Sequence, residues 1–100
     1  MYELHNIDCL KFMRGMADNS VNAVITDPPY NLGIDYGETT NDSRDDYVDW
    51  CSNWLKELER VCAGAIAISC GTTNLTMWSR IKDPLWILCW HKSFSVGHGA

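Results

Sequence analysis

The stretch Asp27-Pro28-Pro29-Tyr30 sets a carboxylate, two residues without amide hydrogens and a flat phenol in immediate succession. Proline fixes φ at about −65° and cannot donate, and it pushes the residue before it toward an extended shape. The result is a stiff corner that offers acceptors and no competing donors. Such a corner suits the holding of an amine attached to an aromatic ring. The lone pair of that nitrogen is delocalised into the ring, and its two hydrogens are the handles by which it can be freed. Asp27 can supply one acceptor as a carboxylate and the carbonyl of Pro28 the other, drawing the nitrogen toward a tetrahedral shape. Tyr30 offers a face on which a base can stack, worth about 1–3 kcal/mol in base–aromatic contacts. A carboxylate close by also stabilises a nitrogen that becomes cationic as it reacts. The plainer use of the same residues is a rigid exit from a strand with a packed tyrosine.

A corner needs elements to aim it. Residues 23–26 read as a short buried strand leading into Asp27, and the glycine-bearing stretch 27–42 as a long loop, a length more often functional than incidental. Ser43 with Asp46 has the form of a capping box. Behind it, Tyr47, Trp50, Trp54, Leu58 and Val61 recur at three- and four-residue steps and predict one apolar helix face. Gly64 is expected to end that helix. Further strands are expected over residues 2–7, 65–70 and 86–91, with short helices over 9–16, capped by Asp8, and 73–81. This alternation predicts an α/β fold with a mostly parallel sheet and crossover helices. Ligands in such sheets gather at the carboxyl ends of strands, a rim that would carry Asp8, Asp27, Cys70 and His91.

The 100 residues suit a single domain, 1–100, with no linker or internal repeat. Forty-six per cent hydrophobic residues, including five tryptophans, give enough surface to bury and exclude a disordered chain. The formal net charge of −5 disfavours nonspecific attraction to polyanions. Five cysteines, odd in number and without C-x-x-C spacing, point to a reducing, cytoplasmic setting and to no disulfide frame or zinc site. The acids Asp42, Asp45, Asp46 and Asp49 flank a helix start, where negative charge is favourable, and lack a calcium-loop pattern. No metal is expected. The longest apolar stretches, 63–68 and 85–90, are too short to span a bilayer. His91-Lys92 reads as a solvated strand end in preference to a phosphate contact, and Cys70-Gly71-Thr72-Thr73 as a strand exit and helix cap in preference to a binding loop.

These residues resemble the S-adenosylmethionine-dependent amino-methyltransferases that modify adenine N6 or cytosine N4 in DNA. The segment NIDCLKFMRGMADNSVNAVITDPPYNLGIDYG is similar to the family's catalytic stretch in members whose catalytic motif comes first, ELERVCAGAIAISCG to the helix and strand that follow, and WILCWHKSF to the next strand. The resemblance implies a Rossmann-like methyltransferase fold, S-adenosylmethionine as cofactor and double-stranded DNA as partner. It implies that Asp27, Pro28, Pro29 and Tyr30 are catalytic, binding and stacking a base flipped from the duplex. It further implies that Asp8, Cys9 and Leu10, with Asp27, lie against the cofactor; for Asp8 this stands beside its reading as a helix cap. In the family an Asp at the first motif position goes more often with adenine, so adenine N6 is preferred over cytosine N4. A Phe-x-Gly-x-Gly cofactor loop is absent, so the chain is expected to be an N-terminal portion whose sheet lacks the strands of that loop. It is expected to be inactive alone, and completed by a missing C-terminal part or a second chain. Rival readings are an enzyme for RNA adenine or for a protein glutamine amide, the latter usually with Asn in place of Asp27, and a non-catalytic partner subunit.

Overall fold

The computed structural model describes residues 1–37 and 42–93. Among these residues five elements follow one another: α1 (Cys9–Arg14), β1 (Val21–Thr26), α2 (Tyr47–Val61), β2 (Cys62–Ile68) and α3 (Thr72–Ile81). Strands β1 and β2 pair in parallel, with Ala23 opposite Ala65 and Thr26 opposite Ile68. Parallel neighbours need a crossover, and α2 is that crossover. This is a small α/β arrangement built on a two-strand parallel sheet.

Helix α2 forms for the reason its spacing gives. Tyr47, Cys51, Trp54, Leu55, Leu58 and Val61 share one face and are buried, and they make up most of the core together with Met13 from α1. Trp54 packs edge-on to Trp78 of α3, ring centroids 5.2 Å apart, within the range where such pairs add to burial. Val24 and Thr26 of β1 and Ile66 and Ile68 of β2 are partly buried, the valine and isoleucines against this core, whereas Ala23, Ile25, Ala65 and Ala67 on the other face stay exposed. Asp8 caps α1 as expected: its carboxylate accepts the amide hydrogen of Lys11 at 3.2 Å.

Several expectations are corrected. The strand over 23–26 is not buried on both faces; Ile25 is 87% exposed, because no layer covers that side of the sheet among the described residues. Residues 2–7 and 86–91 form no strand and are exposed. An extended segment needs a neighbour for its backbone groups, and neither pairs with the β1–β2 ladder. Asp8 and His91 are therefore not at strand ends, and the expected rim reduces to Asp27 and Cys70. Asp46, not Ser43, is the N-cap of α2; it makes no side-chain capping bond, and its carboxylate instead meets the Arg44 guanidinium at 2.9 and 3.1 Å.

Gly64 does not end α2. The helix stops at Val61, Cys62 opens β2 directly, and Gly64 lies within that strand. Between Val21 and Ala23 the register slips by one residue on β2, and a side-chain carbon on Gly64 would overlap the backbone carbonyl of Asn22. The glycine is there because the two backbones approach too closely for any side chain. Among the described residues no helix is long and apolar enough to cross a membrane.

Candidate active site

Strand β1 delivers Asp27 at its carboxyl end, where the side chain is exposed. The parallel ladder runs one step further: the Ser69 amide donates to the Thr26 carbonyl at 3.0 Å. That step sets Ser69 beside Asp27. The Ser69 hydroxyl donates to Oδ1 of Asp27 at 2.5 Å and accepts from the Tyr30 hydroxyl at 3.1 Å. A one-way chain of donors thus runs from phenol to hydroxyl to carboxylate. It holds the Asp27 pKa below the usual carboxylate value: the Ser69 bond contributes most, the phenol of Tyr30 next, and the positive charge of Lys92 adds to them against the cost of burial. Tyr30 moves the other way. Burial raises its pKa and the Asp27 charge reinforces this, outweighing the Ser69 bond, so the phenol keeps the proton it donates.

The backbone of the corner is fixed by its neighbours. Tyr47, at the start of α2, donates its hydroxyl to the Pro29 carbonyl, and burial raises the pKa of that phenol strongly. Asn74 of α3 donates from Nδ2 to the Tyr30 carbonyl at 2.7 Å. Asn31 turns the chain away with φ of +62°, a left-handed conformation that Asn tolerates better than most residues; its side chain pairs with the backbone of Arg44 through bonds of 2.6 and 3.1 Å. Its amide donates to Asp42. That carboxylate, 4% exposed, accepts from the amides of Asn31, Leu32 and Ile34 at 2.8, 2.9 and 2.8 Å. Burial works to raise its pKa, but these amides more than offset it and the net shift is downward. With Pro29 and Tyr30 so engaged, the Pro28 carbonyl accepts no hydrogen bond from any described residue.

The four residues singled out in the sequence therefore sit together, with Asp27 exposed and Pro28, Pro29 and Tyr30 half-buried. Ser69, Asn74 and Asp42 were missed. Ser69 had a usable signal, being the polar residue that follows β2 as Asp27 follows β1. Asp42 and Asn74 had none, since only the folded loop shows what they reach. Cys70 lies beside this group, its thiol pKa raised by burial. Lys92 follows no strand, but its charge reaches Asp27, and its ammonium stands 4.6 Å from the centroid of the Trp90 ring.

Asp8, Cys9 and Leu10 are placed differently. Asp8 is engaged in capping α1, Leu10 packs against the core, and Cys9 is exposed, with a thiol pKa raised by burial of the sulfur and by the Asp8 charge. An open recess of about 620 Å³ lies between α2 and α3, lined in part by Val48, Met77 and Arg80, and none of Asp8, Cys9, Leu10 or Asp27 lines it. That recess is therefore not built from the residues the resemblance assigns to the cofactor. Among them, no three His, Cys, Asp or Glu side chains gather as a metal site requires.

Comparison with known proteins bears on this arrangement. A family profile described as DNA methylase matches residues 21–96. The chain is 43% identical over 80 residues to the Type II methyltransferase M.HpaI of Haemophilus parainfluenzae, covering 76% of this chain and 25% of that protein. It is 38% identical over 61 residues to the Type II methyltransferase M.BamHI of Bacillus amyloliquefaciens, covering 59% of this chain and 14% of the relative. With the Type II methyltransferase M.ScaI of Streptomyces caespitosus it shares 27% identity over 92 residues, 90% of this chain and 29% of that one. The chain thus spans between 14% and 29% of the length of these relatives. No solved structure matches it significantly.

Proposed function

The chain belongs to the DNA methylase family of amino-methyltransferases, and from that premise we propose that it carries the corner that grips the target amine of a base in DNA. The observation that carries this reading is the pairing of an exposed, ionised Asp27 with a Pro28 carbonyl that no described residue occupies. Each accepts one hydrogen of the amine. Both acceptors lie on one rigid turn, so the nitrogen is held while its lone pair is drawn out of the ring. The half-buried ring of Tyr30, tethered through its hydroxyl, supports the base. Extruding a base from a duplex costs a few kcal/mol, and stacking offsets part of that. The Asp27 charge stabilises the nitrogen as it turns cationic. Adenine N6 is the preferred target over cytosine N4.

Family membership implies S-adenosylmethionine, which supplies an electrophilic methyl group when bound. Asp8 is engaged in capping α1 and Leu10 packs against the core, which leaves the exposed Cys9 and Asp27 as the members of the implied set open to it. The chain alone is expected to transfer no methyl group to duplex DNA; labelled-methyl incorporation by the purified 100 residues checks this.

The amine clamp itself is tested with nucleosides. Deoxyadenosine should shift the amide resonances of residues 27, 30 and 31 in a saturable way. N6,N6-dimethyldeoxyadenosine, which keeps the ring and lacks both amine hydrogens, should bind far more weakly, and Asp27→Asn, which leaves the Pro28 carbonyl in place, should narrow the difference between the two. Equal shifts from both nucleosides, or none at these residues, refute the clamp. Deoxycytidine in the same titration ranks the two candidate bases.

A further inference from the structure

We propose that Ser69 is a positioning residue for the Asp27 carboxylate: its hydroxyl occupies Oδ1 and leaves Oδ2 as the oxygen that meets the target amine. The inference rests on the amine-clamp reading and deepens it. The register of the sheet places Thr26 opposite Ile68, so the residue after β2 arrives beside the residue after β1. At that position a hydroxyl is the group that can donate to Asp27 and accept from Tyr30 at once.

A hydroxyl has one hydrogen, and here it goes to Asp27. Its lone pair takes the hydrogen of Tyr30. The same oxygen therefore fixes the torsion of the carboxylate and the plane of the ring on which a base would lie. A free Asp27 at an exposed strand end would rotate among rotamers and could offer either oxygen. Tied at Oδ1, it presents one acceptor, and the second amine hydrogen falls to the Pro28 carbonyl. Clamping also requires an acceptor-only group, hence an ionised one, and a hydrogen bond to the charged form favours ionisation. Three groups besides Ser69 bear on this titration. Tyr30 and Lys92 face Asp27 and lower its pKa further, while Cys70 faces the Tyr30 phenol.

The test uses the 100-residue chain and the carboxyl carbon resonance of Asp27 followed through a pH titration. The Asp27 midpoint should rise in Ser69→Ala, return in Ser69→Thr, which keeps the hydroxyl, and rise less in Tyr30→Phe than in Ser69→Ala. Amide spectra report whether each variant folds; if Ser69→Ala does not, Ser69→Cys, similar in size and a weak donor, must show a raised midpoint. An unmoved midpoint in a folded Ser69→Ala or Ser69→Cys chain overturns the proposal, as does a Ser69→Thr chain no better than Ser69→Ala. In a second arm deoxyadenosine should bind Ser69→Ala about five- to tenfold more weakly than wild type, the worth of one hydrogen bond; equal affinity overturns the proposal. Failure of the wild-type chain to bind deoxyadenosine strikes the amine-clamp reading and Oδ2's role with it, whereas the midpoint alone decides whether Ser69 holds the carboxylate.

Discussion

Replacing Asp42 by Ala should loosen the loop that leaves the Asp-Pro-Pro-Tyr corner, and the size of the loss can be worked from three bonds. The buried carboxylate accepts the amides of Asn31, Leu32 and Ile34 at 2.8–2.9 Å. A hydrogen bond to a charged group is worth about 1.5–3 kcal/mol, so simple addition would give about 5–9 kcal/mol. That sum is too large. Leu32 and Ile34 are exposed, so their amides recover water once the carboxylate is gone, and only the half-buried Asn31 amide is left poorly solvated. A net loss of about 2–4 kcal/mol is expected. With a urea slope of about 2 kcal/mol per molar, the unfolding midpoint should fall by about 1–2 M, and the three amides should lose protection against hydrogen exchange.

The same bonds fix a pH dependence. The folded pKa of Asp42 lies below its unfolded value of about 3.9. Its stabilisation is therefore complete above the unfolded value and is lost as pH falls through the folded one. The stability gap between wild type and Asp42→Ala should be full near neutrality and close in acid. A variant with an unchanged urea midpoint and unchanged exchange at Asn31, Leu32 and Ile34 would refute the idea that Asp42 anchors the loop; a gap that persists in acid would refute the electrostatic account.

Three further outcomes follow from the packing. Gly64→Ala should cost about 1–3 kcal/mol or more, because the new methyl meets the fixed carbonyl of Asn22; an unchanged melting temperature would show that the strands can separate freely there. Tyr47→Phe removes the donor to the Pro29 carbonyl and should cost about 1 kcal/mol, with amide shifts at residues 30 and 31; stability loss without those shifts would place the effect in the core instead. Trp54→Ala empties a site 4% exposed between Trp50 and Trp78 and should cost about 3–5 kcal/mol, enough to abolish the cooperative melt seen by circular dichroism in so small a domain.

Local periodicity and local chemistry were legible in the sequence. The apolar steps from Tyr47 to Val61 describe the buried face of α2, since a helix face is set by residues three and four apart on the same segment. The corner at Asp27 was legible because proline acts on its immediate neighbours. Residues 2–7 and 86–91 were misread as strands for a complementary reason: an apolar, β-favouring segment reports that it wants cover, while pairing depends on a partner elsewhere. Gly64 was misread as a helix stop because a glycine after an amphipathic run looks the same whether it frees the backbone to turn or admits a neighbouring chain. Asp42 read as one of four acids around a helix start, although it is the one of the four that turns inward to the loop.

These differences separate what the chain completes by itself from what it does not. Four supports of the corner lie within reach of β1, α2, β2 and α3: Ser69 on the carboxylate, Tyr47 on the Pro29 carbonyl, Asn74 on the Tyr30 carbonyl, and Asp42 on the amides that follow. The β-α-β unit, one further helix and the loop around Asp42 thus hold the corner's hydrogen bonds. Among the described residues nothing closes over the outer face of the sheet, with Ile25 exposed, or over the exposed apolar residues Leu4, Trp86 and Leu88. Apolar area left in water forfeits about 25 cal/mol for each Å² that burial would recover, so that side is where added structure would stabilise the chain most. Adding a layer there would leave the corner's own bonds untouched, because none of its anchors comes from the open face. The proposed amine clamp can thus be probed in these 100 residues by nucleoside binding, independently of any methyl transfer.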